Sequence, residues 1–181
     1  MTPGEKVVLG FDGAWTNAST ALVGCTLADL HLFCVRLWER SLDAASWVVP
    51  SGEVEAALLE AVGMYDVLEV ACDPHFWREQ VARWDDLGLP VVEWPTNVVT
   101  RIVPACREFH IAVVEGRLTH DGDPRLARHV ADATVKTDQA GSRIVQSSRG
   151  QRIDLAVAAV IAFDRAHARR EAPPKVEFIL L

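Results

Sequence analysis

Residues 6–12 read KVVLGFD, an unbroken run dominated by Val, Leu and Phe that ends in a carboxylate and is followed at once by Gly13. A run this short, rich in branched apolar side chains and closed by glycine, predicts a strand buried on both faces. Asp12 then stands where a central strand leaves its sheet. In open α/β sheets the carboxyl ends of strands are where ligands and metals bind.

The chain downstream predicts a mixed sheet. Gly13–Asn17 has turn chemistry, Ser19–Leu27 (STALVGCTL) a second strand and His31–Glu39 (HLFCVRLWE) a third. Such short connections favour an antiparallel meander. Pro50–Met64 places Val54, Ala57, Leu58 and Ala61 at helical spacing, so one helix face is buried. Val67–Cys72 (VLEVAC) is a fourth strand ending in Asp73-Pro74. A helix between strands implies a right-handed crossover, so this strand is expected to run parallel to the first. Phe76–Leu87 reads as a helix with Trp77, Val81 and Trp84 on one stripe, and Leu89–Trp94 as a fifth strand. Val98–Gly116 reads as a helix broken near Pro104. After a short extended piece and turn over Arg117–Asp123 comes a helix at Pro124–Ala131, with proline in its first turn. Val135–Val145 reads as a hairpin with Gln139-Ala140-Gly141 at its tip. Ser148 and Gln151 have capping-box spacing ahead of Leu155–Phe163, nine apolar residues without a break. A helix apolar all round is packed on more than one side. One domain over residues 1–172, followed by a tail at 173–181, is the expected organisation.

Composition narrows the function classes. No run approaches the roughly 18 apolar residues of a membrane span, and the opening MTPGEK lacks an apolar signal region. Cys25, Cys34, Cys72 and Cys106 show no paired spacing, which favours free core thiols in a reducing cytosol over a zinc site. The net charge is −7 and uneven: residues 1–100 carry 5 basic and 15 acidic side chains, residues 121–170 carry 9 and 6. Nucleic acid is therefore not gripped through the bulk field, although the later half has the charge to touch phosphates.

Three acids carry the chemistry. Asp12 and Asp73 each end an apolar strand, and parallel neighbours would hold them about 5 Å apart. Asp154 shares a helix face with Val157, Ala158 and Ile161. That face is apolar, so the carboxylate points at protein, which is costly unless it is paired or metal-bound. Carboxylates meeting without matching cations call for divalent ions. Mg²⁺ or Mn²⁺ takes oxygen ligands and keeps waters and substrate phosphates as the rest, and a two-ion site activates water against a phosphodiester.

This arrangement resembles the ribonuclease H-like superfamily. More narrowly, VVLGFDGAWTNASTALVGCT, VACDPHFW, RLTHDGDPRLARHV and SSRGQRIDLAVAAVIAF resemble the C-terminal nuclease domain of bacteriophage terminase large subunits. The resemblance implies a mixed sheet, with an antiparallel three-strand meander plus parallel strands, flanked by helices. It implies a two-ion, Mg²⁺- or Mn²⁺-dependent endonuclease that cuts concatemeric viral DNA during packaging, with Asp12, Asp73 and Asp154 as ligands. Double-stranded DNA, an N-terminal packaging ATPase, a portal and a small terminase subunit are the implied partners, with no membrane, in the cytoplasm of an infected bacterium. No G-x-x-x-x-G-K-[ST] loop occurs here, so the ATPase is expected outside this chain. Asn17 stands in the loop where some relatives carry a further acid.

Secondary candidates surround this set. Lys136, Arg143, Arg149 and Arg152 are expected at the DNA backbone, where such contacts position without specifying sequence. His120 is expected at the pocket rim, and His75 beside substrate or a metal-bound water. The competing readings are a resolvase-type nuclease, a catalytically silent interaction domain of a packaging motor, and a sugar-kinase-like module suggested by Asp12-Gly13 and Thr16. The last needs a second phosphate loop and about twice this length.

Overall fold

The computed structural model describes residues 2–16, 19–41, 46–147 and 151–171. Its elements are β1 (Lys6–Gly13), β2 (Ser19–Thr26), β3 (His31–Glu39), α1 (Ser51–Met64), β4 (Asp66–Cys72), α2 (Arg78–Asp86), β5 (Val91–Glu93), α3 (Val99–Val114), β6 (Thr119–His120), α4 (Pro124–Asp132), β7 (Ala133–Asp138), β8 (Gly141–Gln146) and α5 (Asp154–Glu171). Six strands form one sheet in the order β5-β4-β1-β2-β3-β6, and β7 and β8 form a separate hairpin. The β1-β2-β3 meander is antiparallel, while β4 runs parallel to β1, β5 to β4 and β6 to β3. This is the mixed sheet expected from the sequence.

Strand alternation divides the core into layers. Val7, Leu9 and Phe11 of β1 pack with Leu58 of α1 and with Trp77, Val81 and Trp84 on one face. Val8 packs on the other face with Leu155, Ala158 and Phe163 of α5. A further cluster joins Ile102, Ala105 and Cys106 of α3 to Val157, Val160 and Ile161 of α5. Helix α5 thus lies between the sheet and α3, which is why Leu155–Phe163 is buried on every side.

Gly10 sets how closely α5 approaches β1. A Cβ at this position would stand 2.6 Å from the Ala162 backbone nitrogen and closer still to the Ala158 carbonyl oxygen. Only a residue without a side chain lets the helix backbone lie this near the strand.

The far end of α5 is tied by charge. Glu69 of β4 is 1% exposed and is met by Arg165 Nε at 2.5 Å and Arg169 Nη2 at 2.7 Å. Burial alone would push its carboxyl up, but the two guanidinium groups outweigh that and hold it below the ordinary glutamate value. A depressed carboxylate contributes stability above its unfolded pKa and loses it as pH falls. Because both arginines are about one-third exposed, we expect Glu69→Gln to cost about 2–3 kcal/mol at pH 7, below the full cost of breaking a buried pair. In urea titrations the deficit should shrink as pH drops through the ordinary glutamate range; a constant deficit would refute this assignment.

The structure corrects several local expectations. Helix α3 runs unbroken through Pro104; the proline removes one bond to the Thr100 carbonyl, and packing of Ile102, Ala105 and Cys106 outweighs it. Helix α2 starts at Arg78, not Phe76, because Phe76 has φ +66° and Trp77 is the N-cap. Strand β5 is only three residues long. Helix α5 begins at Asp154, three residues beyond Gln151; Ser148, Asn17 and the 173–181 tail lie outside the described residues. All four cysteines are free, and burial pushes the Cys25 and Cys34 thiols up to about 12.

Candidate metal centre

The register of β1 and β4 brings the first two acids together. Phe11 is paired with Cys72, and the Asp73 N–H continues the ladder by donating to the Phe11 carbonyl at 3.0 Å. The next step sets Asp12 beside Asp73 on strands about 4.8 Å apart. Because Phe11 and Cys72 both point into the α1/α2 layer, alternation turns Asp12 and Asp73 toward α5.

Asp154 arrives from that side. It opens α5, one turn ahead of the Ala158 carbonyl that lies against Gly10. Ser19 Oγ, at the start of β2, donates to Asp154 Oδ2. Ser19 lies one residue past the Gly13–Thr20 pair, so this contact fixes Asp154 at the edge where β1 exits the sheet.

A buried histidine sets the start of α5. His129 of α4 is 0% exposed. The Leu155 N–H donates to its Nδ1 at 3.0 Å, which assigns the proton to Nε2, 3.1 Å from Glu39 Oε1. Glu39 also takes Arg128 Nη2 at 2.6 Å and Arg152 Nη1 at 3.5 Å. The first turn of α5 is therefore held by α4 and by the end of β3.

The electrostatics follow from this crowding. Burial pushes the Asp12 carboxyl well up; Asp154 and then Asp73 push it further, against one Gly13 N–H. Burial raises Asp154 as well, offset in part by the Ser19 hydroxyl, its own backbone N–H and the charge of Arg152. Two of the acids are also engaged by protein donors. Asp73 accepts the His75 N–H at 2.9 Å, the Thr96 N–H at 3.3 Å and the Thr96 hydroxyl. Among the described residues, no three His, Cys, Asp or Glu side chains already stand at metal-holding separation. With Asp73 turned to Thr96 and Asp154 to Ser19, the carboxylates share an edge without converging on one point. The donor set is all oxygen, and it suits a hard cation such as Mg²⁺ or Mn²⁺.

The secondary candidates separate. His75 is exposed beside Asp73, its ring 3.9 Å from that of Phe76. Lys136 and Arg143 face each other across the β7–β8 hairpin, with Arg143 2.9 Å from Asp138. Arg152 is directed to Glu39 and to the Arg40 carbonyl at 3.3 Å. Arg149 lies outside the described residues. His120 sits on β6, paired with the start of β3. Since β3 runs in the same direction as β1, that is the sheet edge opposite Asp12. Ser19, Thr96, Glu39 and His129 had not been singled out from the sequence. Only His129 carried a signal, lying three residues from Leu126 on the buried face of a short helix.

Comparison with known proteins adds a family. The model described as terminase large subunit, endonuclease domain, matches residues 41–170. The gene 13 protein of Mycobacterium phage D29 is 34% identical over an alignment of 174 positions that covers 88% of this chain and 29% of that protein. Its counterpart in Mycobacterium phage L5 is 33% identical over the same lengths. The chain therefore spans less than a third of these relatives. Among solved structures, the HK97 bacteriophage large terminase superposes with TM-score 0.71 at 23% identity, over 91% of this chain and 40% of that one. The large terminase nuclease from thermophilic phage G20c with bound magnesium superposes with TM-score 0.65 at 12% identity, over 91% and 85%. At these identities the superpositions speak for the fold.

Proposed function

This chain belongs to the terminase large subunit endonuclease domain family, and from that premise we propose that it is a divalent-metal-dependent endodeoxyribonuclease that cuts concatemeric viral DNA to length during packaging. The observation that carries the reading is that Asp12, Asp73 and Asp154 share one sheet edge, where burial and the neighbouring acids lift the Asp12 carboxyl. Charges so placed are relieved by a cation, and a G20c relative holds magnesium.

Asp12, Asp73 and Asp154 are the residues that would hold two Mg²⁺ or Mn²⁺ ions. Such ions, when bound, supply Lewis acidity and a water of lowered pKa at neutral pH. The protein's own part is to aim the acids. Ser19 orients Asp154, Thr96 and the His75 N–H orient Asp73, and the Glu39–His129 pair fixes the helix on which Asp154 rides. Lys136, Arg143, Arg149 and Arg152 contribute backbone contacts to the duplex. The N-terminal packaging ATPase, portal and small subunit are the proposed partners, in the cytoplasm of an infected bacterium. None of the described helices is long and apolar enough to cross a membrane.

The test is cleavage of supercoiled plasmid. Nicked and linear products should appear with Mn²⁺ or Mg²⁺ and vanish with chelator; cleavage that persists in chelator, or survives Asp12→Ala, refutes the reading. A non-cutting docking domain is the alternative favoured by the net charge of −7. Metal-dependent stabilisation without cleavage under either ion would select it. Lys136→Ala should weaken duplex binding evenly across sequences and lower the salt-dependence slope by about 1; an unchanged slope removes it from the backbone contacts.

A further inference from the structure

The turn after Asp73 carries a side chain that the core does not explain. Phe76 is 60% exposed, whereas the other phenylalanines and tryptophans among the described residues are buried or half-buried. Its φ is +66°, a conformation that bulky L-residues rarely adopt. Such backbone outliers persist where the surroundings over-determine them, and they cluster at sites of action.

The surroundings here are rigid. The Trp15 indole N–H donates to the Phe76 carbonyl. Trp15 stacks on Trp77 at 4.5 Å and 16°, and Trp77 is fully buried against Phe11 at 4.9 Å. On the other side, the His75 N–H donates to Asp73 Oδ1 at 2.9 Å. The ring is thus held outward by a turn tied to a candidate ligand at one end and to the aromatic core at the other.

We propose that Phe76 is a stacking wedge, which receives a nucleobase of the bound DNA within a few nucleotides of the phosphodiester presented to Asp73. This rests on the reading of the acid cluster as a DNA-cleaving centre. Three residues of chain span at most about 10 Å, and successive nucleotides of one strand are about 3.4 Å apart, so the ring reaches bases adjoining the scissile bond. Apolar wedges enter between base steps and partly unstack them. Aromatic stacking is tolerant of sequence, since every base has a π-face. For a chain of net charge −7, affinity of this kind supplements a weak electrostatic grip. The outward ring favours DNA over a protein partner because the turn belongs to the same sheet edge as the acids.

The test measures binding of the wild-type chain to a fluorescein-labelled duplex by anisotropy, with Ca²⁺ in place of Mg²⁺, across a salt series. Phe76→Ala should lose about 5- to 150-fold in affinity at every salt concentration. The salt slope should not change, since no phosphate contact is removed. Phe76→Tyr should restore binding. Phe76→Gly should raise the melting temperature, by relieving the positive φ, while losing affinity as alanine does. A ring serving only the fold would instead lower the melting temperature and leave affinity intact. If Phe76→Ala binds and cuts like wild type, the inference falls, and the ring is left to a protein partner. If affinity depends on Phe76 but wild type cuts nothing with Mn²⁺, the inference stands and the nuclease reading falls. If wild type binds no duplex, both fall.

Discussion

Asp12→Asn should abolish metal-dependent plasmid cleavage, with a loss of about 10³-fold or more, because it removes a charge from the centre of the site while keeping its shape. The same change should make the protein more stable at pH 7 in chelator. The sign follows from the direction of the shift: burial, then Asp154, then Asp73 raise the native Asp12 carboxyl well above its usual value. Between the unfolded and native pKa the unfolded chain has released this proton and the native one has not, so stability falls as pH rises through that window. An amide does not ionise and escapes the penalty. Added Mg²⁺ or Mn²⁺ should then raise the melting temperature of wild type and leave Asp12→Asn almost unmoved, so the ranking closes or inverts as metal is titrated. Calorimetry in chelator and in excess metal reads both halves. A variant that is less stable than wild type in chelator would show that Asp12 is not strained, and one that gains as much from metal would show that it is not a ligand.

Gly10→Ala should be the most damaging single methyl group in the molecule. The added Cβ meets backbone atoms of α5 rather than the end of a flexible side chain, so the helix itself must move. Overpacking usually costs about 1–3 kcal/mol and sometimes more; with backbone as the obstacle we expect about 3 kcal/mol. For a chain of this size that lowers the melting temperature by about 6–12 °C. Asp154 lies one turn away on the same helix, so cleavage by the remaining folded molecules should also collapse. Gly24→Ala is the control. Its Cβ would meet the ring of Phe33, in the layer facing away from α5. It should cost stability yet leave cleavage per folded molecule near wild type. Equal losses of cleavage in the two variants would sever the link between Gly10 and Asp154.

How much of this was legible in the sequence differs from element to element. The meander, the crossover and α5 could be read because their apolar residues repeat with the period of the element that buries them. Val54, Ala57, Leu58 and Ala61 line the buried face of α1, as that spacing predicts. Asp12 and Asp73 could be placed because both follow short apolar runs, and strand register then does the rest. The turn at Phe76 was not legible, since an aromatic before Trp77 continues a helical stripe and nothing local marks a positive φ. Nor were the contacts of Ser19, Thr96 and His129, whose partners are distant in the chain. Glu69 looked like an ordinary charge in VLEVAC until Arg165 and Arg169 closed over it. His120 was misplaced for the same reason: its motif fixes a turn, but only the pairing of β6 with the start of β3 says at which end of the sheet that turn lies.

The order in which the three acids appear along the chain has a consequence for biosynthesis. Asp12 and Asp73 belong to strands that precede α5 in the chain, whereas Asp154 opens that last described helix and is held by Ser19 and, through its neighbour Leu155, by His129. A ribosome-bound chain that has not yet exposed that helix carries two of the proposed ligands and lacks the third. Under this assignment a half-made polypeptide is harmless to the nucleic acid around it, and the cutting edge is armed only when synthesis has passed α5, after every strand of the sheet is already made.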